Sequence, residues 1–180
     1  FGSHGQGLVQ ELGLEEAVFA RIITFGKALG CHGAAILGSA LLKQYLINFA
    51  RPFIYTTALP PHAIATIIVS YKHLGSIKTE YLQKTIRFFI SELTRLKLNA
   101  FFIESKSPIQ SCILPGNSTV KTISEKLHEK GFDVKAILSP TVQEGQERLR
   151  FCIHSFNTEK EISEVLKSLS TTIKTHESDL

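Results

Sequence analysis

The stretch Thr24-Phe25-Gly26-Lys27-Ala28-Leu29-Gly30-Cys31-His32-Gly33 sets one lysine in a glycine-flanked bend. The bend follows an apolar run, Ala20 to Phe25 interrupted by Arg21, that reads as a strand. Small neighbours let a planar ligand lie close to the backbone, and a lysine held in such a pocket can become a nucleophilic amine. Thr24, three residues before it, can offer its hydroxyl to a phosphate. On composition alone, Lys27 reads first as a solvated lysine in a surface turn, and only the sequence around it lifts the reactive-amine reading. A phosphate-binding loop is excluded, because Ala28 stands where a Ser or Thr is needed. The dinucleotide fingerprint fails as well, since Gly5-Gln6-Gly7 is followed by Leu8, Val9 and Gln10 where the third glycine belongs.

The text around the lysine bounds the rest. With 180 residues, 43% hydrophobic and 20% charged, the chain can bury a core. A formal net charge of +4 is mild. The Lys/Arg face of residues 78–97 lacks interleaved aromatics, so it reads as a solvated helix surface and no nucleic-acid partner is expected. The apolar stretch Ala63 to Val69 is too short to span a bilayer, so no membrane partner is expected. Cys31, Cys112 and Cys152 are odd in number and lack close pairing. This argues against a disulfide framework or a zinc site and for a reducing cytoplasm. All three read as small buried hydrophobes. The histidines, His32 beside the lysine included, show no ligand spacing, and no metal is expected. The chain lacks methionine, opens on the loop-like Phe1-Gly2-Ser3-His4-Gly5-Gln6-Gly7, and carries eight of its twelve glycines before residue 39. It is expected to be part of a longer protein.

Strands and helices alternate throughout, which predicts an α/β fold. Residues 1–10 read as a loop and 13–18 as a short acidic helix. Ala20 to Thr24 and Gly33 to Ser39 are strand candidates flanking the bend. Ser39 caps a predicted helix running to about Ala50, and Phe53 to Thr57 reads as a buried strand. Pro60-Pro61 opens another helix. After it the texture changes. Tyr81, Leu82, Ile86, Phe89, Ile90 and Leu93 recur at helical spacing. Ile109 to Leu114, Val134 to Leu138 and Leu149 to Ile153 read as strands. A helix between them is capped near Asn117 or Ser118 and ended by Gly131. The last helix opens with the capping box Thr158…Glu161, and its tail from Thr171 is expected to fray.

Several blocks together carry a resemblance. They are Thr24-Phe25-Gly26-Lys27, Gly33-Ala34-Ala35-Ile36-Leu37-Gly38-Ser39, Phe49-Ala50-Arg51, Ile54-Tyr55-Thr56-Thr57, Pro60-Pro61, Ser139-Pro140-Thr141-Val142 with Gly145, and Arg148-Leu149-Arg150. In this order and spacing the chain resembles the C-terminal half of an α-oxoamine synthase, a fold-type I pyridoxal phosphate enzyme. The resemblance implies the end of a large cofactor-binding domain in residues 1–62, a connecting helix region in 63–75 and a small C-terminal α/β domain in 76–180. It implies that Lys27 holds pyridoxal 5'-phosphate through its amine and that Thr24 binds the cofactor phosphate. Thr57 would reach the phosphate bound to the other subunit of a homodimer. Arg150 would pair with the amino-acid carboxylate, which its donor fork suits, and Thr141 would sit near the substrate.

The implied activity is a decarboxylative condensation of L-alanine with a pimeloyl thioester of coenzyme A or an acyl carrier protein, giving 8-amino-7-oxononanoate for biotin. Glycine-using members of the family, and a non-catalytic structural piece of such an enzyme, are the alternatives. The chain departs from the family at Leu138, where an arginine is common just before the family's Pro-Pro-Thr-Val segment, and at Gln143, where a proline is usual. The aspartate that partners the pyridine nitrogen and the histidine that stacks on its ring fall before residue 1. The chain alone is therefore expected to bind the cofactor poorly.

Overall fold

The computed structural model describes residues 1–2, 5–77 and 79–178, the last three of these by backbone only. Ser3, His4, Lys78 and the side chain of His176 lie outside the described residues. The chain forms two compact units, Phe1–Thr79 and Glu80–Leu180.

In the first unit a short helix, α1 (Leu8–Glu11), occupies part of the segment expected to be loop, and the acidic residues 13–18 form turns rather than a helix. Gly13 explains the shift: its φ of +64° is a left-handed conformation that ends a helix instead of starting one. Strands β1 (Ala20–Thr24) and β2 (Ala34–Gly38) pair antiparallel, with Thr24 opposite Ala34 and Ala20 opposite Gly38. Helix α2 (Ala40–Phe49) starts as the sequence indicates, the Ser39 hydroxyl accepting the Leu42 amide at 3.1 Å.

The strand expected over Phe53 to Thr57 is absent. Arg51–Ile54 is a helical turn, α3, with Pro52 in its first turn, where the missing amide costs no hydrogen bond. Phe53 and Tyr55 are exposed there, not buried. Helix α4 (Pro61–Ser76) opens on Pro61 as expected.

The second unit has its own hydrophobic core. Helix α5 (Glu80–Arg95) turns Ile86, Phe89 and Leu93 inward. Strands β3 (Ile109–Ile113), β4 (Lys135–Ile137) and β5 (Arg148–Cys152) form an antiparallel sheet in the order β3-β5-β4. The period-2 alternation of β5 buries Leu149 and Phe151 and exposes Arg150 and Cys152. Cys152 is thus a surface thiol, unlike the buried Cys31 and Cys112. Burial pushes the Cys112 thiol up to about 12. Helices α6 (Asn117–His128) and α7 (Glu159–Ser178) supply Val120, Ile123, Leu127, Ile162, Leu166 and Leu169 to the same core. Each such side chain stabilises by roughly 1.5–3 kcal/mol on burial.

Helix ends carry two corrections. Gly116, not Asn117 or Ser118, precedes α6 with φ +99° and donates its amide to Glu147 Oε2 at 3.0 Å. That bond holds the Glu147 carboxyl below its ordinary range. Helix α7 begins with the expected reciprocal capping box, Thr158 N–H to Glu161 Oε2 at 2.8 Å and Glu161 N–H to Thr158 Oγ1 at 3.2 Å. Its tail does not stop at Thr171, because Thr172 and Ile173 extend the buried stripe into the core.

Candidate active site

The β1–β2 connection is the lysine bend, and its shape follows from its glycines. Phe25 N–H donates to the Gly33 carbonyl at 2.9 Å and Cys31 N–H to the Phe25 carbonyl at 2.8 Å, which closes the neck of the loop. A tight turn at the tip has Gly30 N–H donating to the Lys27 carbonyl at 2.9 Å, with Gly30 at φ +61°. Gly33 sits at φ +104°, and a Cβ there would stand 2.9 Å from Leu59 Cδ1. The loop closes at that point because glycine adopts this φ without strain.

Two side chains point out of this loop together. Lys27 Nζ donates to Thr24 Oγ1 at 3.0 Å, and both residues are exposed. Among the described residues the Lys27 amine meets no carboxylate within ion-pair distance. The base of the loop is fastened to α4. Phe25 is buried edge-on against Tyr71, centroids 6.3 Å apart, and Cys31 Sγ lies 3.1 Å from both Ser70 Oγ and the Leu29 carbonyl. The sequence reading missed this role of Ser70 and Tyr71, since nothing in the spacing of α4 distinguishes them from ordinary helix positions. His32 is exposed at the loop rim.

Thr57 lies in the same unit, in the exposed connection between α3 and α4. Thr141 and Arg150 belong to the second unit. Thr141 is exposed in the turn after β4, and that turn is held from α6. Asn117 Oδ1 accepts the Ser139 amide at 2.9 Å, and Asn117 Nδ2 donates to the Ser139 carbonyl at 3.3 Å. Asn117 had read only as a helix cap. Arg150 stands on the open face of the central strand β5, opposite Ser111 of β3 and Lys135 of β4. The structure therefore joins Thr24 to Lys27 directly, while Thr57, Thr141 and Arg150 each hold a separate exposed position.

An exposed amine beside a hydroxyl, on a loop whose glycines leave the backbone bare, fits a ligand that offers both a carbonyl and a phosphate. Among the described residues, no group of three or more His, Cys, Asp or Glu side chains could hold a metal ion. No helix among them is long and apolar enough to cross a membrane.

Comparison with known proteins places the chain in a family. A family model, aminotransferase class I and II, matches residues 6–169. The chain is 41% identical over 180 residues to an 8-amino-7-oxononanoate synthase of Emericella nidulans, covering 95% of this chain and 43% of the relative. It is 36% identical over 172 residues to a Xylella fastidiosa protein of the same name, covering 94% of this chain and 42% of the relative. The chain thus spans less than half the length of these relatives. Its structure superposes on an 8-amino-7-oxononanoate synthase of Francisella tularensis with a TM-score of 0.84 at 31% identity, over 98% of this chain and 52% of that one. A Sphingomonas wittichii serine palmitoyltransferase shares the fold at a TM-score of 0.81 and 24% identity, over 97% of this chain and 44% of that one. These likenesses bear out the fold and the resemblance to α-oxoamine synthases, and the chain belongs to the aminotransferase class I and II family.

Proposed function

We propose that this chain is the lysine-bearing C-terminal half of a pyridoxal phosphate-dependent acyltransferase. The enzyme condenses L-alanine with a pimeloyl thioester, releases carbon dioxide and forms 8-amino-7-oxononanoate. The observation that carries the reading is the 3.0 Å contact between Lys27 Nζ and Thr24 Oγ1 on a glycine-shaped loop. The same name among relatives 36–41% identical supports it.

Lys27 would hold the cofactor through its amine, and Thr24 and Thr57 would bind its phosphate, Thr57 across a homodimer interface. Bound pyridoxal phosphate supplies the electron sink for charge developing at the amino-acid Cα. With its amine free, Lys27 Nζ would be the base that takes the Cα proton, and Thr24 Oγ1, the acceptor 3.0 Å away, would fix its direction. Arg150 pairs with the alanine carboxylate, and Thr141 borders the substrate. The enzyme works in the cytoplasm.

The test uses the full-length protein containing this chain, loaded with cofactor. Borohydride reduction followed by peptide mapping fixes the cofactor to Lys27. Lys27→Ala lowers turnover of alanine and pimeloyl thioester by at least about a thousandfold, the scale of a lost proton-transfer group and more, while non-covalent cofactor binding persists. Label on any other lysine overturns the assignment, and a preference for glycine over alanine overturns the substrate.

A further inference from the structure

The open face of the three-stranded sheet carries a row of three polar side chains that the chemistry above uses only in part. Ser111, Arg150 and Lys135 are register partners across β3, β5 and β4, so their side chains stand on one face, side by side. The opposite face is the core: Cys112, Leu149 and Phe151 are buried there. Two cations placed directly across an antiparallel pair repel, which costs stability and gives the sheet nothing in return. Such an arrangement is justified where each cation receives an anion. Lys135 pairs with the Asp133 carboxylate at 2.8 Å, both side chains being well exposed. That contact is worth little in water and is open to exchange.

Lys135 and Arg150 also line the same open cleft of about 540 Å³. Its apolar lining includes Phe132 and Phe156 and, toward the core, Phe151 and Ile153, and His154 is stacked on Phe156 with ring centroids 4.8 Å apart. Glu161, the other acid lining the cleft, is committed to capping α7. A pair of cations in a cleft also lined by apolar side chains suits a carboxylate carried on an aliphatic chain.

We infer that Lys135, set across the sheet from Arg150, is a second anion seat of the enzyme and receives the terminal carboxylate of the acyl substrate. This rests on the reading of Arg150 as the amino-acid carboxylate partner. It adds a residue that decides between acyl groups ending in a carboxylate and acyl groups ending in a methyl.

The experiment has two arms, both on the full-length cofactor-loaded protein. In the kinetic arm, Lys135→Gln raises KM for the pimeloyl thioester about three- to fivefold, the effect of one exposed ion pair. It leaves KM for the heptanoyl thioester and for alanine unchanged. Lys135→Arg restores the wild-type preference, and Asp133→Asn, which removes the competing carboxylate, lowers KM for the pimeloyl thioester. Equal losses on both thioesters, or none, overturn the seat while leaving the alanine condensation intact.

In the binding arm, heptanedioate and heptanoate are titrated and followed by the amide resonances of Ser111, Lys135 and Arg150. Tighter binding of heptanedioate that is lost in Lys135→Gln supports the seat even in a protein that turns over no alanine, the result that would sink the proposed function alone. Equal affinity for the two acids overturns it.

Discussion

At the scale of single residues, Glu92 illustrates how the second unit handles a buried charge. Its carboxylate takes two hydrogen bonds from Arg95, Nε to Oε1 at 2.6 Å and Nη2 to Oε2 at 2.7 Å. This bidentate pairing, against the opposing effect of burial, holds the Glu92 carboxyl down to about 2 from an ordinary 4.5. A folded-state value below the unfolded one means that the unfolded chain binds the proton first. The stabilisation is therefore present above about pH 4.5 and is lost as pH falls toward 2. We expect Glu92→Gln to be less stable than wild type at pH 7, and the difference in urea midpoint to shrink steadily between those two pH values. A gap that stays constant down to pH 2 would show that the charge of Glu92 contributes nothing.

Thr24 is the second residue to test. Thr24→Val removes the acceptor 3.0 Å from Lys27 Nζ without changing the shape of the side chain. In the full-length protein it should weaken pyridoxal phosphate binding by about tenfold, the worth of one hydrogen bond to a charged group. Fluorescence titration with the cofactor reads this directly.

At the scale of elements, two connections hold side chains that the proposed chemistry uses. The β1–β2 loop depends on Gly33, whose φ of +104° strains any residue with a Cβ, while a Cβ there would also have to push the tip of Leu59 aside. Gly33→Ala should cost about 1–3 kcal/mol of local stability, read as faster proteolytic cleavage within residues 25–33. An unchanged cleavage pattern would show the loop to be held by its α4 anchors alone.

The turn carrying Thr141 depends on Asn117, which satisfies both the amide and the carbonyl of Ser139 from the first residue of α6. Asn117→Ala removes two bonds worth about 0.5–1.5 kcal/mol each. The expected result is a lower melting temperature together with a higher KM for substrate. Asn117→Asp keeps only the acceptor and should recover part of both. Glu147 performs a related task, fastening the start of α6 to the residue before β5 through the Gly116 amide.

At the scale of the whole chain, the two units differ in how much they bury. The core cluster draws on α5, α6, α7 and the three-stranded sheet of the second unit. In the first unit, the buried hydrophobics among the described residues are Phe25, Cys31 and Ala63. Meanwhile Ile22, Leu41, Tyr45, Phe49 and Val69 stand exposed. A surface this apolar is rare on a soluble monomer and marks a contact face. We predict that the 180-residue chain, expressed alone, self-associates and binds pyridoxal phosphate weakly. Size-exclusion chromatography and a cofactor titration at visible wavelengths check both. A monomer that takes up cofactor stoichiometrically would contradict the prediction.

Local chemistry made much of this readable before any coordinates. Ser39 and the Thr158–Glu161 pair announce helix starts because their caps bond within three residues. The strands around the lysine bend show in the apolar run on either side of its glycines. Lys27 and Thr24 are three residues apart, so their contact is encoded in the loop itself. What failed locally was a choice between near-equal states. Pro52 could end a helix or open one, and Phe53 to Thr57 has the composition of a strand but forms a helical turn and an exposed loop. The tertiary structure alone decided which residues meet across the sequence. Ser70 and Tyr71 brace the lysine loop from 39 and 46 positions away. Asn117 reaches Ser139, and the register of β4 on β5 sets Lys135 beside Arg150. Such contacts depend on how helices and strands pack, and a one-residue slip in register would turn Lys135 from the open face to the core.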